Sequence, residues 1–165
     1  PATTGQPAET VRDTMNCARI WIVLGGVLAC LSVVFGAFGA HGLEGTLKEI
    51  YGDATKEIAG MEFPATYKYL QDFNTGARYQ MYNALGLIAL GILASNPTTT
   101  SQRVSAWSFL AGTLLFSGSL YVLVLTKLTI LGLVAAIGGT FMIIAWVAFV
   151  IGCCQKKGES EGATT

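Results

Sequence analysis

Between Arg19 and Glu44 the chain carries no Asp, Glu, Lys or Arg, only neutral residues and His41, and the stretches 79–102, 104–126 and 128–155 are equally free of those four. A helix needs about 20 apolar residues to cross roughly 30 Å of hydrocarbon, so each stretch has the length that a bilayer demands. With 52% hydrophobic and only 12% charged residues, the chain is far more apolar than a soluble domain tolerates. The expected fold is all-α and integral to the membrane: a four-helix transmembrane bundle with spans at about 20–41, 78–94, 104–126 and 129–152, flanked by a polar tail at 1–19 and another at 153–165.

The connection between the first two spans is too long and too patterned for a simple loop. Leu43, Leu47, Ile50, Ala54 and Ile58 recur at helical spacing, with Glu44 and Lys48 as an i,i+4 pair on the polar side. This predicts an amphipathic helix within the interfacial segment 43–77, lying on the membrane or on a partner and ended by Gly60. Pro64 then suits the first turn of the next helix, whose apolar stripe of Tyr67, Leu70, Phe73 and Ala77 leads into the second crossing.

Four crossings put both termini on one face. Arg12, Arg19, Arg103, Lys156 and Lys157 stand there, against Lys48, Lys56, Lys68, Arg78 and Lys127 on the other. Five against five gives the positive-inside rule no purchase; we expect the termini on the cytoplasmic or matrix side. The opening "PATTGQPAETVRDTMNCA" has neither the apolar core of a secretory signal nor the arginines of a transit peptide, and its leading Pro fits removal of an initiator Met.

Helix packing has its own signature. Ser32, Gly36 and Ala40 repeat every fourth residue on the first span, as do Gly132, Ala136 and Thr140 on the fourth. In lipid, where close backbone approach and interhelical hydrogen bonds replace the hydrophobic drive, such small residues mark helix contacts.

The same topology gathers polar residues in one leaflet. His41, Arg78, Gln80, Asn83, Ser117, Ser119 and Tyr121 all fall near the ends of their spans on the side opposite the termini. They form a candidate cluster: a proton site, a lipid or quinone headgroup site, or the hydrogen-bonded rim of a bundle. His41 is the only histidine, so it builds neither a zinc site nor a two-histidine haem site, and it has no nucleophile at a readable spacing. Cys17, Cys30, Cys153 and Cys154 contain no CxxC; the adjacent pair at the last helix end fits either small apolar packing or palmitoylation. There is no P-loop, no GxGxxG and no paired intramembrane carboxylate. We expect no catalytic, cofactor-binding or metal-ligating residue; a bound structural lipid is compatible with the pattern.

The stretches "GAFGAHGL" (36–43), "FNTGARYQMYNAL" (73–85), "GTLLFSGSLYVLVLT" (112–126) and "LGLVAAIGGTFMIIAW" (131–146) resemble the small YgdD/YwdK-type membrane-protein family. Its members are four-helix proteins of unknown function in bacteria, with eukaryotic relatives associated with mitochondria. The resemblance implies the bundle and the membrane but no reaction. The family commonly has a histidine where this chain has Asn83, and a Thr-Pro-type turn where it has Val134, Ala135 and Ala136. The loss of that second histidine weakens any metal or proton-relay role implied by the resemblance. Segment 43–72 is long compared with compact relatives and points to an added interaction surface.

The expected function is that of a non-catalytic accessory or assembly subunit in a larger inner-membrane complex, a respiratory complex being one candidate; the mitochondrial inner membrane is the favoured location and a bacterial inner membrane the alternative. Its partners would be membrane lipids and other membrane-protein subunits, not nucleic acid. The alternative from another class is a small transport or lipid/quinone-binding protein using the leaflet cluster. A membrane enzyme is the third and weakest reading.

Overall fold

A computed structural model describes the backbone of residues 6–94 and 98–162, and side chains over 18–94 and 98–155. In order along the chain are α1 (Gln6–His41), α2 (Leu43–Tyr51), β1 (Thr55–Ile58), β2 (Met61–Pro64), α3 (Ala65–Leu93), α4 (Thr100–Thr113), a π-helical turn (Leu114–Gly118), α5 (Ser119–Thr126) and α6 (Leu131–Gly162). Among the described residues, three helical stretches are long and apolar enough to cross a membrane: Ala18–His41, Thr100–Thr126 and Leu131–Gln155.

α1 and α3 run antiparallel, as do α4 and α6. α3 is the central element, with α1 on one side and α4, the π turn and α5 on the other; α6 packs mainly on α4 and the π turn. The α1/α3 seam is set by Gly25, where a Cβ would lie 2.7 Å from the Ala84 carbonyl oxygen. Ser32 and Gly39 continue that seam at intervals of seven, buried against Ala77 and Asn74. The expected Ser32, Gly36, Ala40 face is therefore only one-third correct: nothing stands within 4 Å of a Cβ on Gly36, and Ala40 is exposed. A straight helix keeps a seam facing an antiparallel partner by alternating steps of three and four, so a strict step of four drifts off it.

The same correction applies to α6. Gly132, Ala136 and Thr140 are exposed, while Ala135, Gly138, Met142, Ala145 and Ala148 are buried. A Cβ on Gly138 would collide with the Phe116 backbone nitrogen and lie 2.7 Å from the Leu115 carbonyl carbon. Backbone meets backbone here, at the π turn.

The segment after α1 also departs from expectation. α2 buries Leu43 and Leu47 as expected, but the third buried position is Tyr51 rather than Ile50, which is half-buried, and the helix exposes a Glu44–Lys48 ion pair of 2.7 Å. It stops at Gly52, whose φ of +54° ends the helical path. Ala54 and Ile58 thus never join its apolar face. Thr55 to Ile58 instead pairs antiparallel with Met61 to Pro64, matching Lys56 with Phe63 and Glu57 with Glu62. Ala59 and Gly60, at φ of 53° and 80°, are the two positive-φ residues that a tight hairpin requires; Gly60 turns a hairpin rather than ending a helix. Pro64 is the last residue before α3, as its missing N–H suits. Tyr67 is exposed, and the buried stripe starts instead at Tyr69 and continues through Phe73 and Ala77.

Two apolar clusters result. One joins α2, α3 and α5 through Leu43, Leu47, Tyr51, Tyr69, Phe73 and Val124. The other joins α3, α4 and α6 through Leu87, Leu90, Ala106, Phe109 and Ala145. Trp21 of α1 meets Trp107 of α4 edge to face, with centroids 5.6 Å apart. The polar turn around 95–102 is described only from Thr98, and Thr99 forms a capping box with Gln102.

Candidate functional site

Between the two apolar clusters lies a layer of hydrogen bonds made by small polar side chains. Ser32 Oγ donates to the Ala77 carbonyl at 2.7 Å, and Gln80 Nε2 donates to the Leu28 carbonyl at 2.9 Å, both joining α1 to α3. Ser117 Oγ, on the π turn, donates to the Gly76 carbonyl at 2.7 Å, and Tyr121 Oη donates to Gln80 Oε1 at 3.0 Å. A hydroxyl or amide aimed at a neighbouring helix carbonyl satisfies itself where no water is present. Gln80, Ser117 and Tyr121 are thereby committed to holding helices together.

Ser119 donates to the Phe116 carbonyl of its own helical stretch at 3.0 Å. His41 is exposed at the end of α1, and Arg78 is exposed on the outer face of α3. Successive residues turn by about 100°, so Arg78 and Gln80 point to nearly opposite sides of α3. The expected seven-residue cluster therefore divides: a buried group of Gln80, Ser117 and Tyr121, a locally bonded Ser119, two outward-facing residues, and Asn83. Cys30, Cys153 and Cys154 are exposed free thiols, and no group of His, Cys, Asp and Glu suited to a metal occurs among the described residues.

Asn83 is the exception to the satisfied pattern. It is 1% exposed, and its Nδ2 has no hydrogen-bond partner among the described residues. It lines a groove of about 690 Å³ between α3 and α6, closed at its base by Phe116 of the π turn. α3 supplies Thr75, Tyr79 and Tyr82, and α6 supplies Thr140, Met142 and Trp146. Tyr79 is in ring contact with Phe116 at 5.2 Å and with Tyr82 at 5.7 Å. No charged side chain lines the groove. Ala136 and Thr140, expected as packing residues, form part of its wall, which is why a neighbouring helix does not cover them. The arrangement is an aromatic, neutral trough with the buried Asn83 amide in its wall.

The sequence alone gave no reason to separate Asn83 from Gln80. That Asn83 shares a groove with Gly139 and Thr140 is visible only when the helices are docked.

A family described as "Protein of unknown function (DUF423)" matches residues 35–139. The chain belongs to this family. Among curated relatives, the UPF0382 membrane protein YwdK of Bacillus subtilis is 40% identical over 134 residues, covering 81% of this chain and 94% of the relative. A UPF0382 membrane protein of Staphylococcus saprophyticus is 39% identical over 136 residues, covering 81% and 96%; one of Staphylococcus haemolyticus is 37% identical over 133 residues, covering 81% and 93%. No solved structure matches the chain. The family match spans the end of α1 through the Gly138 contact with the π turn, so both walls of the groove begin inside it. With three apolar candidate spans and relatives described as membrane proteins, the chain is an integral membrane protein.

Proposed function

We propose that this family member is a non-catalytic four-crossing bundle, with α3 as the second crossing, whose α3/α6 groove holds a neutral, ring-headed membrane amphiphile of the quinone class. α3 has 29 residues and is about 43 Å long at 1.5 Å per residue, enough to span with a turn or two outside. It runs antiparallel to α1 from Gly39 beside Asn74 to Gly91 beside Ala18. Asn83 lies five residues beyond Arg78, roughly 8 Å along the helix, which places it inside the hydrocarbon of the leaflet that Arg78 borders.

The observation that carries the reading is the unpartnered Asn83 Nδ2. A buried amide donor without an acceptor costs about 1–3 kcal/mol, and inside the hydrocarbon it has no water to turn to. A carbonyl acceptor on an aromatic-sized ring would meet both the donor and the flanking Tyr79, Tyr82 and Trp146 rings. The absence of charge on the groove wall favours a neutral head over a phosphate. The test is quenching of Trp146 fluorescence by a soluble-tailed quinone, in a variant with Trp21 and Trp107 replaced by Phe. Saturable quenching that is lost in Asn83→Leu supports the proposal; no saturable quenching, with no quinone in organic extracts of the purified protein, removes it.

The second reading is an accessory or assembly subunit of a larger inner-membrane complex, including a respiratory complex in a mitochondrion. The α2 and hairpin module favours it, because it stands outside the apolar spans and presents Glu44, Lys48, Glu57 and Glu62 outward. Comigration with a large complex on a native gel of gently solubilised membranes supports this reading. A lone small species would rule it out.

A further inference from the structure

Three lysines flank a stacked aromatic pair at the hairpin end of the bundle, two on one face and one on the other. The pair is Tyr51 of α2 and Tyr69 of α3, whose rings stack with centroids 4.2 Å apart. Lys127 Nζ lies 5.0 Å from the Tyr51 ring centroid, Lys56 Nζ 5.7 Å from that of Tyr69, and Lys68 Nζ 6.0 Å from it. The aromatic faces hold the ammonium groups by cation–π attraction. Together they gather like charges around one aromatic pair.

Only one of the three is neutralised. Lys68 pairs with Asp72, whereas no ion pair to Lys56 or Lys127 exists among the described residues. Glu57 follows Lys56 directly, but strand alternation turns it to the opposite face of the hairpin. Lys127 also sits at φ 60°, a left-handed backbone that L residues rarely adopt.

Lys56, Lys68 and Asp72 line a cavity of about 170 Å³ together with Tyr69, Leu123 and Thr129. That is between five and six times the ~30 Å³ share of a liquid water, room for a phosphate group and little more. Lys127 directly follows Thr126, the last residue of an apolar candidate span, so the cluster stands where the phosphate layer of a leaflet begins.

We propose that Lys56 and Lys68 form a binding site for a phosphate group, supplied by an anionic phospholipid of the adjacent leaflet, with Lys127 adding positive charge from the far face of the tyrosine stack. The unpaired charge of Lys56 in the cavity and that of Lys127 beside it attract one phosphodiester, and Thr129 offers a hydroxyl on the α6 side. This site is separate from the Asn83 groove, since its lining shares no residue with it.

The test uses the full chain in neutral detergent, titrated with phosphatidylglycerol, phosphatidylcholine or inorganic phosphate and read by native mass spectrometry. The variant is Lys56→Gln with Lys127→Asn, because Asn tolerates the left-handed backbone; the control is Lys48→Gln. Retention of one phosphatidylglycerol, weakened on the order of tenfold or more in the double variant and unchanged in the control, supports the site. Equal retention of phosphatidylcholine, or a double variant that binds as the wild type does, overturns it. Displacement by millimolar inorganic phosphate keeps the pocket but assigns it to soluble phosphate; resistance to displacement assigns it to the lipid. Should the double variant fail to fold, wild-type retention in low and high salt decides, because retention indifferent to salt is incompatible with a phosphate held by ammonium groups.

Discussion

Replacing Asn83 by Leu should make the ligand-free protein more stable. The wild type buries an amide nitrogen with no acceptor, a cost of about 1–3 kcal/mol that an apolar side chain does not incur. Leu is bulkier than Asn, but the adjoining groove of about 690 Å³ gives its extra methyl groups somewhere to go. Overpacking should therefore subtract little. The expected net gain is about 1–2 kcal/mol, measured by reversible unfolding in detergent after exhaustive delipidation. Adding a quinone should reverse the order. A ligand at one hundred times its Kd stabilises the native state by about 2.7 kcal/mol, and the variant, lacking the donor, should gain much less. A delipidated variant that is less stable than the wild type would refute the premise that this amide is unsatisfied. Unchanged ligand stabilisation in the variant would refute its role in binding.

Gly138→Ala should destabilise by about 1–3 kcal/mol through overpacking, because the new methyl group meets the Leu115 and Phe116 backbone rather than a side chain that can swing away. Gly26→Ala, with nothing within 4 Å of its Cβ, should be neutral or slightly stabilising in the same unfolding assay. Ser32→Ala and Ser117→Ala each remove one interhelical hydrogen bond and should cost about 0.6 kcal/mol, and at most about 1.7, in the same experiment. Burial pushes the Tyr51 phenol up to about 12 from its ordinary value of 10.0, consistent with its hydroxyl donating to the Val124 carbonyl at 3.0 Å. Because the folded value is raised, this stabilisation is complete below pH 10 and is lost as pH rises through about 12; the late component of an ultraviolet titration should shrink by one phenol in Tyr51→Phe.

Where the sequence was legible, it was because charge and length speak directly. The charge-free runs fixed the apolar helices α1, α4 with α5, and α6, and Pro64 marked the start of α3 to within a residue. Azimuth was harder to read than depth. The leaflet of Arg78, Gln80 and Asn83 follows from counting residues, but which of them face inward depends on the neighbours of α3, and those are set by docking. The small-residue stripes failed for the same reason: a step of four names candidates, while Gly25, Ser32 and Gly39 show that the seam is chosen by the antiparallel partner. In the hairpin, Ala54 and Ile58 kept helical spacing by coincidence. The local backbone signal of Gly52 and the Ala59–Gly60 turn outweighed it.

The makeup of α3 has a consequence for how the protein is assembled. α1, the α4–α5 stretch and α6 are apolar enough to partition into a bilayer one at a time, whereas α3 brings Lys68, Asp72, Arg78, Gln80 and Asn83. The bonds that make Gln80 tolerable, to the Leu28 carbonyl and to Tyr121, come from segments synthesised both before and after it. On the proposed topology, the second crossing must either wait beside the insertion machinery until Tyr121 has emerged or leave it already docked against α1. A nascent chain halted before residue 121 should thus hold α3 less firmly in the membrane than one halted after it, which makes the hydrogen-bonded layer as much a feature of biogenesis as of the finished fold.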